Sequence, residues 1–227
     1  MLEIQQKGNM ISYIDTLQNC LLFEGIKKED LLNLLCCLNA RVKKYKKDEI
    51  VLEEGRNVTF SGIVLAGSLQ TEQYDYLGNR TILARIEPVQ LFGEAFYFSK
   101  EKVAVNIVAA EDSSVLLFNS AKISSPCQNH CLFHIKLINN LLQVLATNII
   151  ALNQKIQCIS QRTTRGKLLN YLASESKKQN SNEFFIPYDR QSLADYLCVE
   201  RSAMSVEISK LRNEKILECT KNKFKFL

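Results

Sequence analysis

Residues 135–159 read IKLINNLLQVLATNIIALNQKIQCI, and the placing of every other segment follows from this stretch. Ile135, Ile138, Leu142, Leu145, Ile149, Leu152, Ile156 and Ile159 step by 3, 4, 3, 4, 3, 4 and 3 residues. That mean spacing is what a coiled coil needs for its apolar seam to keep facing one partner. Neither proline nor glycine interrupts it, so it predicts one continuous helix, roughly 36 Å long at about 1.5 Å per residue. Asn139, Asn140, Gln143, Asn148, Asn153, Gln154 and Lys155 lie between the seam positions. They predict a solvated outer face and an amphipathic helix rather than a membrane span. Leu137, Leu141 and Val144 widen the stripe in the first half, as expected where the helix meets both a second copy and its own preceding domain. A seam packed only on its own domain is the alternative, and sustained heptads favour the second copy.

The chain of 227 residues is long enough for two domains, and a long helix in its middle favours two. No positively charged start with an apolar run follows Met1, and no unbroken apolar stretch reaches about 18 residues, so the expected location is the cytoplasm, away from membrane. The eight cysteines, Cys20, Cys36, Cys37, Cys127, Cys131, Cys158, Cys198 and Cys219, contain no Cys-x-x-Cys pair. In a reducing compartment they read as small buried apolar residues. Charge is uneven: residues 1–159 hold 16 Lys plus Arg against 16 Asp plus Glu, and residues 160–227 hold 13 against 8. All of the net +5 lies beyond the long helix, which points to a polyanion as partner of the last third.

Before the helix, residues 11–17 and 29–38 read as helical, joined by Leu21-Leu22-Phe23-Glu24-Gly25. Short runs rich in Val, Ile, Leu, Phe and Tyr follow at 50–52, 62–66, 68–74, 80–86, 103–109 and 114–118, punctuated by glycine. Strands so spaced predict an antiparallel sandwich or barrel. Gly78-Asn79 supplies a tight hairpin turn. Within it, Leu91-Phe92-Gly93-Glu94-Ala95-Phe96 can bring backbone N–H groups and one carboxylate to a small ligand; the alternative is a turn glycine and a solvated Glu94. His130 and His134 fall outside the strands, so a metal-dependent enzyme on the barrel is not expected.

After it, Asp189 caps a short helix from Arg190 to Leu197, Cys198-Val199-Glu200 makes a tight turn, and Arg201–Lys215 forms a second helix. Leu193, Leu197, Val199, Met204, Ile208 and Leu211 give both an inward face, the layout of a helix-turn-helix. Ser202, Val206, Ser209 and Asn213 then point outward, flanked by Ser205 and Arg212. Arg201 is the candidate for a guanine edge or a phosphate, Ser202 and Ser205 for bases or phosphates, and Val206 for a thymine methyl. Arg190 and Gln191 complete the candidate DNA-binding set. Ile216–Cys219 and Lys223–Phe226 alternate as a basic hairpin, or wing.

In this order of parts the whole chain resembles the Crp/Fnr family of bacterial transcription regulators. Leu193-Ala-Asp-Tyr-Leu-Cys-Val-Glu-Arg-Ser-Ala-Met-Ser205 resembles its DNA-binding signature, and Phe92-Gly93-Glu94-Ala95 its phosphate-binding cassette. The resemblance implies an α+β protein: a jelly-roll-like β-roll sensor (1–125), a dimerisation helix (126–159) and a winged helix-turn-helix (160–227). It implies a homodimer on a palindromic duplex operator, controlled by a small-molecule effector, working with RNA polymerase, and neither an enzyme nor cofactor-dependent. Gly93, Glu94, Ala95, Lys102, Val103, Ala104 and Arg85 would surround the effector. Members that bind cyclic AMP carry an Arg-Ser or Arg-Thr pair after the cassette; here that place is Val103-Ala104, so cyclic AMP is not the expected effector. Lys102, Arg80 and Arg85 are the candidates for another anion. Cys198 stands where the turn usually has glycine, and Val206 where a second arginine is common. Cys127, Cys131 and His134 fall at i, i+4 and i+7, with His130 beside them, so metal or thiol-redox sensing is the alternative input.

Overall fold

The computed structural model describes residues 10–124 and 133–227. Three elements open it, α1 (Ile14–Gln18), a 3-10 turn (Leu21–Phe23) and α2 (Lys28–Cys37). There follow β1 (Arg41–Tyr45), β2 (Ile50–Leu52), β3 (Phe60–Ala66), β4 (Leu69–Tyr74), β5 (Arg80–Ile86), β6 (Leu91–Phe92), α3 (Glu94–Ser99), β7 (Asn106–Ala109), β8 (Ser113–Asn119) and α4 (Ala121–Ser124). The strands form two four-stranded sheets, ordered β1-β8-β3-β6 and β2-β7-β4-β5. Strand β8 runs antiparallel to β1 and β3, β6 to β3, and β7 to β2 and β4, as in the expected β-roll. Gly62 lies opposite Phe92, and a Cβ there would stand 2.2 Å from the Phe92 ring, so only glycine admits that ring.

The remaining elements are α5 (Phe133–Ile159), α6 (Thr164–Lys178), β9 (Glu183–Phe185), α7 (Arg190–Leu197), α8 (Arg201–Asn213), β10 (Leu217–Thr220) and β11 (Lys223–Phe226). The last three strands make an antiparallel sheet ordered β10-β11-β9.

The chain divides into two compact units. One takes in the chain through Gln73 together with Leu83–Asn148; the other combines Tyr74–Ile82 with Ile149–Leu227. In the first, α1, α2 and the first half of α5 share a core in which Leu22, Leu31, Leu35, Phe118 and Leu137 are buried. A second cluster fills the β-roll with Val64, Leu69, Phe92, Val103 and Val115. In the second unit, Leu168, Leu193, Leu197, Met204, Ile208, Leu211 and Phe224 form the core, joined by Ile82.

Two polar residues of α5 are not on a solvated face. Asn140 is buried because its amide donates to the carbonyls of Leu22 and Glu24, at 2.9 and 3.0 Å. Lys155 is buried because its ammonium donates to the Ile82 carbonyl. A buried polar group is tolerated only with such partners. The cysteines also split: Cys20 and Cys158 are buried, whereas Cys36 and Cys198 are exposed. Among the described residues α5 is the one helix long and apolar enough to cross a membrane by length and composition. Asn139, Asn140, Gln143, Asn148, Asn153 and Gln154 interrupt its apolar residues.

Candidate nucleic-acid interface and effector site

The helix-turn-helix forms for local reasons. The Asp189 carboxylate accepts from the Ser192 amide at 2.7 Å, which fixes the start of α7 and holds that carboxyl below its usual range. Cys198 ends the helix in the left-handed region, φ +52°, the conformation glycine adopts most cheaply. Its carbonyl accepts from the Lys167 ammonium at 3.2 Å.

On α8, Met204, Ile208 and Leu211 are buried, and Arg201, Ser202, Ser205, Val206, Ser209 and Arg212 are all exposed. Val206 is 54% exposed. The Ser205 and Ser209 hydroxyls donate back to the carbonyls of Arg201 and Ser205, at 2.9 and 3.1 Å. Gln191 is exposed, with its amide on Asp195 at 2.8 Å. Arg190 is placed differently. Its guanidinium lies 4.9 Å from the Phe224 ring centre and 3.4 Å from the Cys219 sulfur, and its Nη1 is buried without a partner. It braces the wing rather than standing with the α8 face. No motif signals that, because the wing residues it meets lie about 30 positions further on.

In the first unit, Gly93 takes a left-handed conformation, φ +82°, and turns the chain from β6 into α3. Glu94 is 4% exposed, not solvated. Its Oε1 accepts from the Asn148 amide of α5 at 3.2 Å, and its Oε2 has no partner. Burial, only partly offset by that bond, raises its pKa above the ordinary carboxylate value. Ala95 is exposed beside it. Val103 is buried in the β-roll core, with its backbone bonded to Gly55 and Arg56, while Lys102 and Ala104 are exposed.

The two arginines among the candidate anion holders are otherwise engaged. Arg85 bonds Glu87 at 2.8 Å, Ser68 at 2.6 Å and Glu111 at 3.3 Å. Arg80 bonds Asp195 at 2.8 and 2.9 Å. An open cleft of about 420 Å³, which the sequence did not signal, runs past α3 between Val58, Phe96, Tyr97 and Lys100.

Along α5, Ile135, Leu142, Ile149, Leu152 and Ile156 are 53–73% exposed and Ile138 is 39% exposed. Leu145 and Ile159 are half-buried. Leu137, Leu141 and Val144, by contrast, are buried within the first unit. Cys127, His130 and Cys131 lie outside the described residues, and the His134 Nε2 is 3.0 Å from the Lys122 carbonyl. Among the described residues no group of three or more His, Cys, Asp or Glu could hold a metal ion.

Residues 42–130 match the family model of the cyclic nucleotide-binding domain. No curated protein matches the chain. Solved structures do. The c-di-GMP-responsive global regulator CLP of Xanthomonas campestris is 12% identical with TM-score 0.70, over 84% of this chain and 95% of its own. CooA of Carboxydothermus hydrogenoformans, in a mutant form, is 17% identical with TM-score 0.69, over 84% and 85%. A CRP/FNR-family transcriptional regulator of Thermus thermophilus is 18% identical with TM-score 0.61, over 82% and 93%.

Proposed function

We propose that this chain, which carries a cyclic nucleotide-binding domain and has the fold of the CRP/FNR transcription regulators, is a homodimeric, sequence-specific DNA-binding regulator of the cytoplasm. It is not an enzyme. Its signal is a small molecule other than cyclic AMP, and RNA polymerase is its further partner.

One observation carries the DNA reading. The solvent face of α8 presents Arg201, Ser202, Ser205, Val206 and Ser209 on a helix whose opposite side is locked into the core. Short polar side chains, one methyl-bearing residue and a forward arginine suit a major groove. The uncovered apolar seam of α5 supports a second copy. Two readers would then meet half-sites roughly 34 Å apart, one turn of duplex.

The effector reading rests on Glu94 and Val103. A buried carboxylate with one free oxygen suits a ligand that brings a hydrogen-bond donor. A cyclic phosphate, in contrast, would find Val103 in the core and the Arg85 guanidinium already paired. The test is selection of duplexes from a random pool by the purified chain, followed by titration of the winning duplex with and without cyclic AMP. A palindromic consensus and unchanged affinity with cyclic AMP are expected. An empty selection refutes the DNA reading, and a cyclic AMP-dependent gain refutes the effector reading.

A further inference from the structure

Two cysteines of the second unit lie in one cluster with two ammonium groups. Cys158 is in the last turn of α5, and Cys198 is in the turn between α7 and α8. The Cys158 thiol is buried and donates to the Lys167 carbonyl of α6 at 3.2 Å. The Lys167 ammonium in turn donates to the Cys198 carbonyl at 3.2 Å, so one residue touches both cysteines. The Lys155 ammonium is within electrostatic reach of both thiols, and the two thiols are within reach of each other.

The two thiols are not equivalent. Cys198 is exposed, and its sulfur has a long contact of 4.0 Å with the Asp195 carbonyl. Its backbone is left-handed, φ +52°, where glycine costs least, so neither the turn nor the packing explains a side chain at that position. Cys158 is sheltered, and burial pushes its thiol up, which keeps it protonated and makes it the second group to react rather than the first. Lys155, with a pKa of about 8, is cationic at neutral pH and supplies the counter-charge that a thiolate needs. An accessible thiol backed by a resolving thiol is the arrangement that takes up oxidising equivalents reversibly.

We propose that Cys198 and Cys158 are a dithiol site oxidised by a hydroperoxide. The Cys198 thiolate attacks the terminal oxygen of the hydroperoxide, the O–O bond breaks, and the alcohol or water that leaves takes up the thiol proton. Cys198 is then a sulfenic acid, oxidised by two electrons. The Cys158 thiol attacks that sulfur, the S–S bond forms, the S–O bond breaks, and water leaves with the Cys158 proton. An S–S bond of about 2 Å takes Cys158 off the Lys167 carbonyl and draws the turn toward α5. Arg201 opens α8 just after that turn, so oxidation displaces the start of the reader and weakens its hold on DNA. This last consequence rests on the DNA reading above.

The experiment uses the full chain, reduced and then treated with hydrogen peroxide. Free thiols are alkylated, the protein is digested without reductant and mapped by mass spectrometry, and the same samples are titrated with the selected duplex. Cys198→Gly, which suits the left-handed turn and keeps the fold, and Cys158→Ser are the comparators. The native chain is expected to give the Cys158 peptide joined to the Cys198 peptide, a link that dithiothreitol removes. Affinity for the duplex should fall about tenfold on oxidation, the size of one lost contact, and Cys198→Gly should keep its affinity in peroxide. In Cys158→Ser, dimedone should label Cys198. Absence of the joined peptide overturns the site, as does a Cys198 that dimedone does not label. Oxidised protein with undiminished affinity, or an equal loss in Cys198→Gly, overturns the link from the site to DNA. If the native chain selects no duplex, the DNA reading fails, and the peptide map still decides whether the two thiols react as a pair.

Discussion

Lys155 offers the sharpest quantitative test of how the second unit is held together. Burial, the first cause, pulls its pKa down from 10.5 to about 8, against smaller opposing contributions from Cys198 and Cys158. A proton released at about 8 rather than 10.5 corresponds to roughly 3 kcal/mol of penalty on the charged form. The Tyr196 ring favours the ammonium, so this is an upper figure.

The sign follows from which state holds more protons. Below pH 8 both states are protonated and the fold carries the full penalty. Between pH 8 and 10.5 the folded protein has released a proton the unfolded chain keeps, so stability rises with pH. Cys158, Tyr171 and Tyr196 have raised values, mainly through burial, and act in the opposite direction in the alkaline range. Tyr171 and Tyr196 are also present in Lys155→Met, so the difference between the two proteins reports Lys155 together with its charge coupling to the Cys158 thiol.

Urea unfolding of both, followed by far-ultraviolet circular dichroism from pH 7 to 10, is the assay. Relative to Lys155→Met, the native chain should gain about 2 kcal/mol across that range. At pH 7 the variant sheds the buried charge and leaves the Ile82 carbonyl unpaired, two effects of opposite sign and similar size of about 1 to 3 kcal/mol. Parallel stability curves would refute the assignment of Lys155 as a buried, proton-releasing amine.

Other consequences are simpler to read. Ile149→Asp places a charge on a residue that is 59% exposed, outside either core; the variant should stay folded yet sediment as a monomer, and an intact dimer would contradict the seam. Arg201→Ala should weaken binding to the selected duplex by about 1 to 3 kcal/mol without changing thermal stability, and equal affinity would remove Arg201 from the interface. Glu94→Gln should stabilise the first unit at pH 7, because burial raises the Glu94 pKa and its ionised form costs stability as pH rises past the ordinary carboxylate value. That gain should vanish toward pH 4, and a gain independent of pH would show that the Glu94 charge is not its source.

The β-roll was legible wherever strands alternate between glycines: β2 and β5 lie where their residues predict, β3 and β4 begin two residues earlier and one residue later, and β8 is one residue longer at each end. Two strands were not. β1 has cationic Arg41, Lys43 and Lys44 within five residues, a composition suited to the edge of a sheet, where lysine blocks stray pairing; it is the edge strand of its sheet. β6 has two residues, too few for a periodicity. The run at 103–109 forms a strand only from Asn106, since Val103 bonds Gly55 and Arg56 instead. For the candidate sites, the inward and outward sides of α8 follow from a 100° step per residue, so its exposed residues could be named. Arg190, Arg80 and Arg85 could not be placed, because their partners Phe224, Asp195 and Glu111 lie 26 to 115 positions away.

Periodicity and caps act between neighbours in the chain, so the amino-acid order alone determined the long helix with its apolar seam, the antiparallel roll, the capped helix pair and the basic wing. Pairing of charges and burial of polar groups act between segments that meet only after folding. The tertiary structure alone therefore decided that Glu94 is enclosed against Asn148, that Arg190 braces the wing, and that Lys155 and Arg80 hold a hairpin tip against α7.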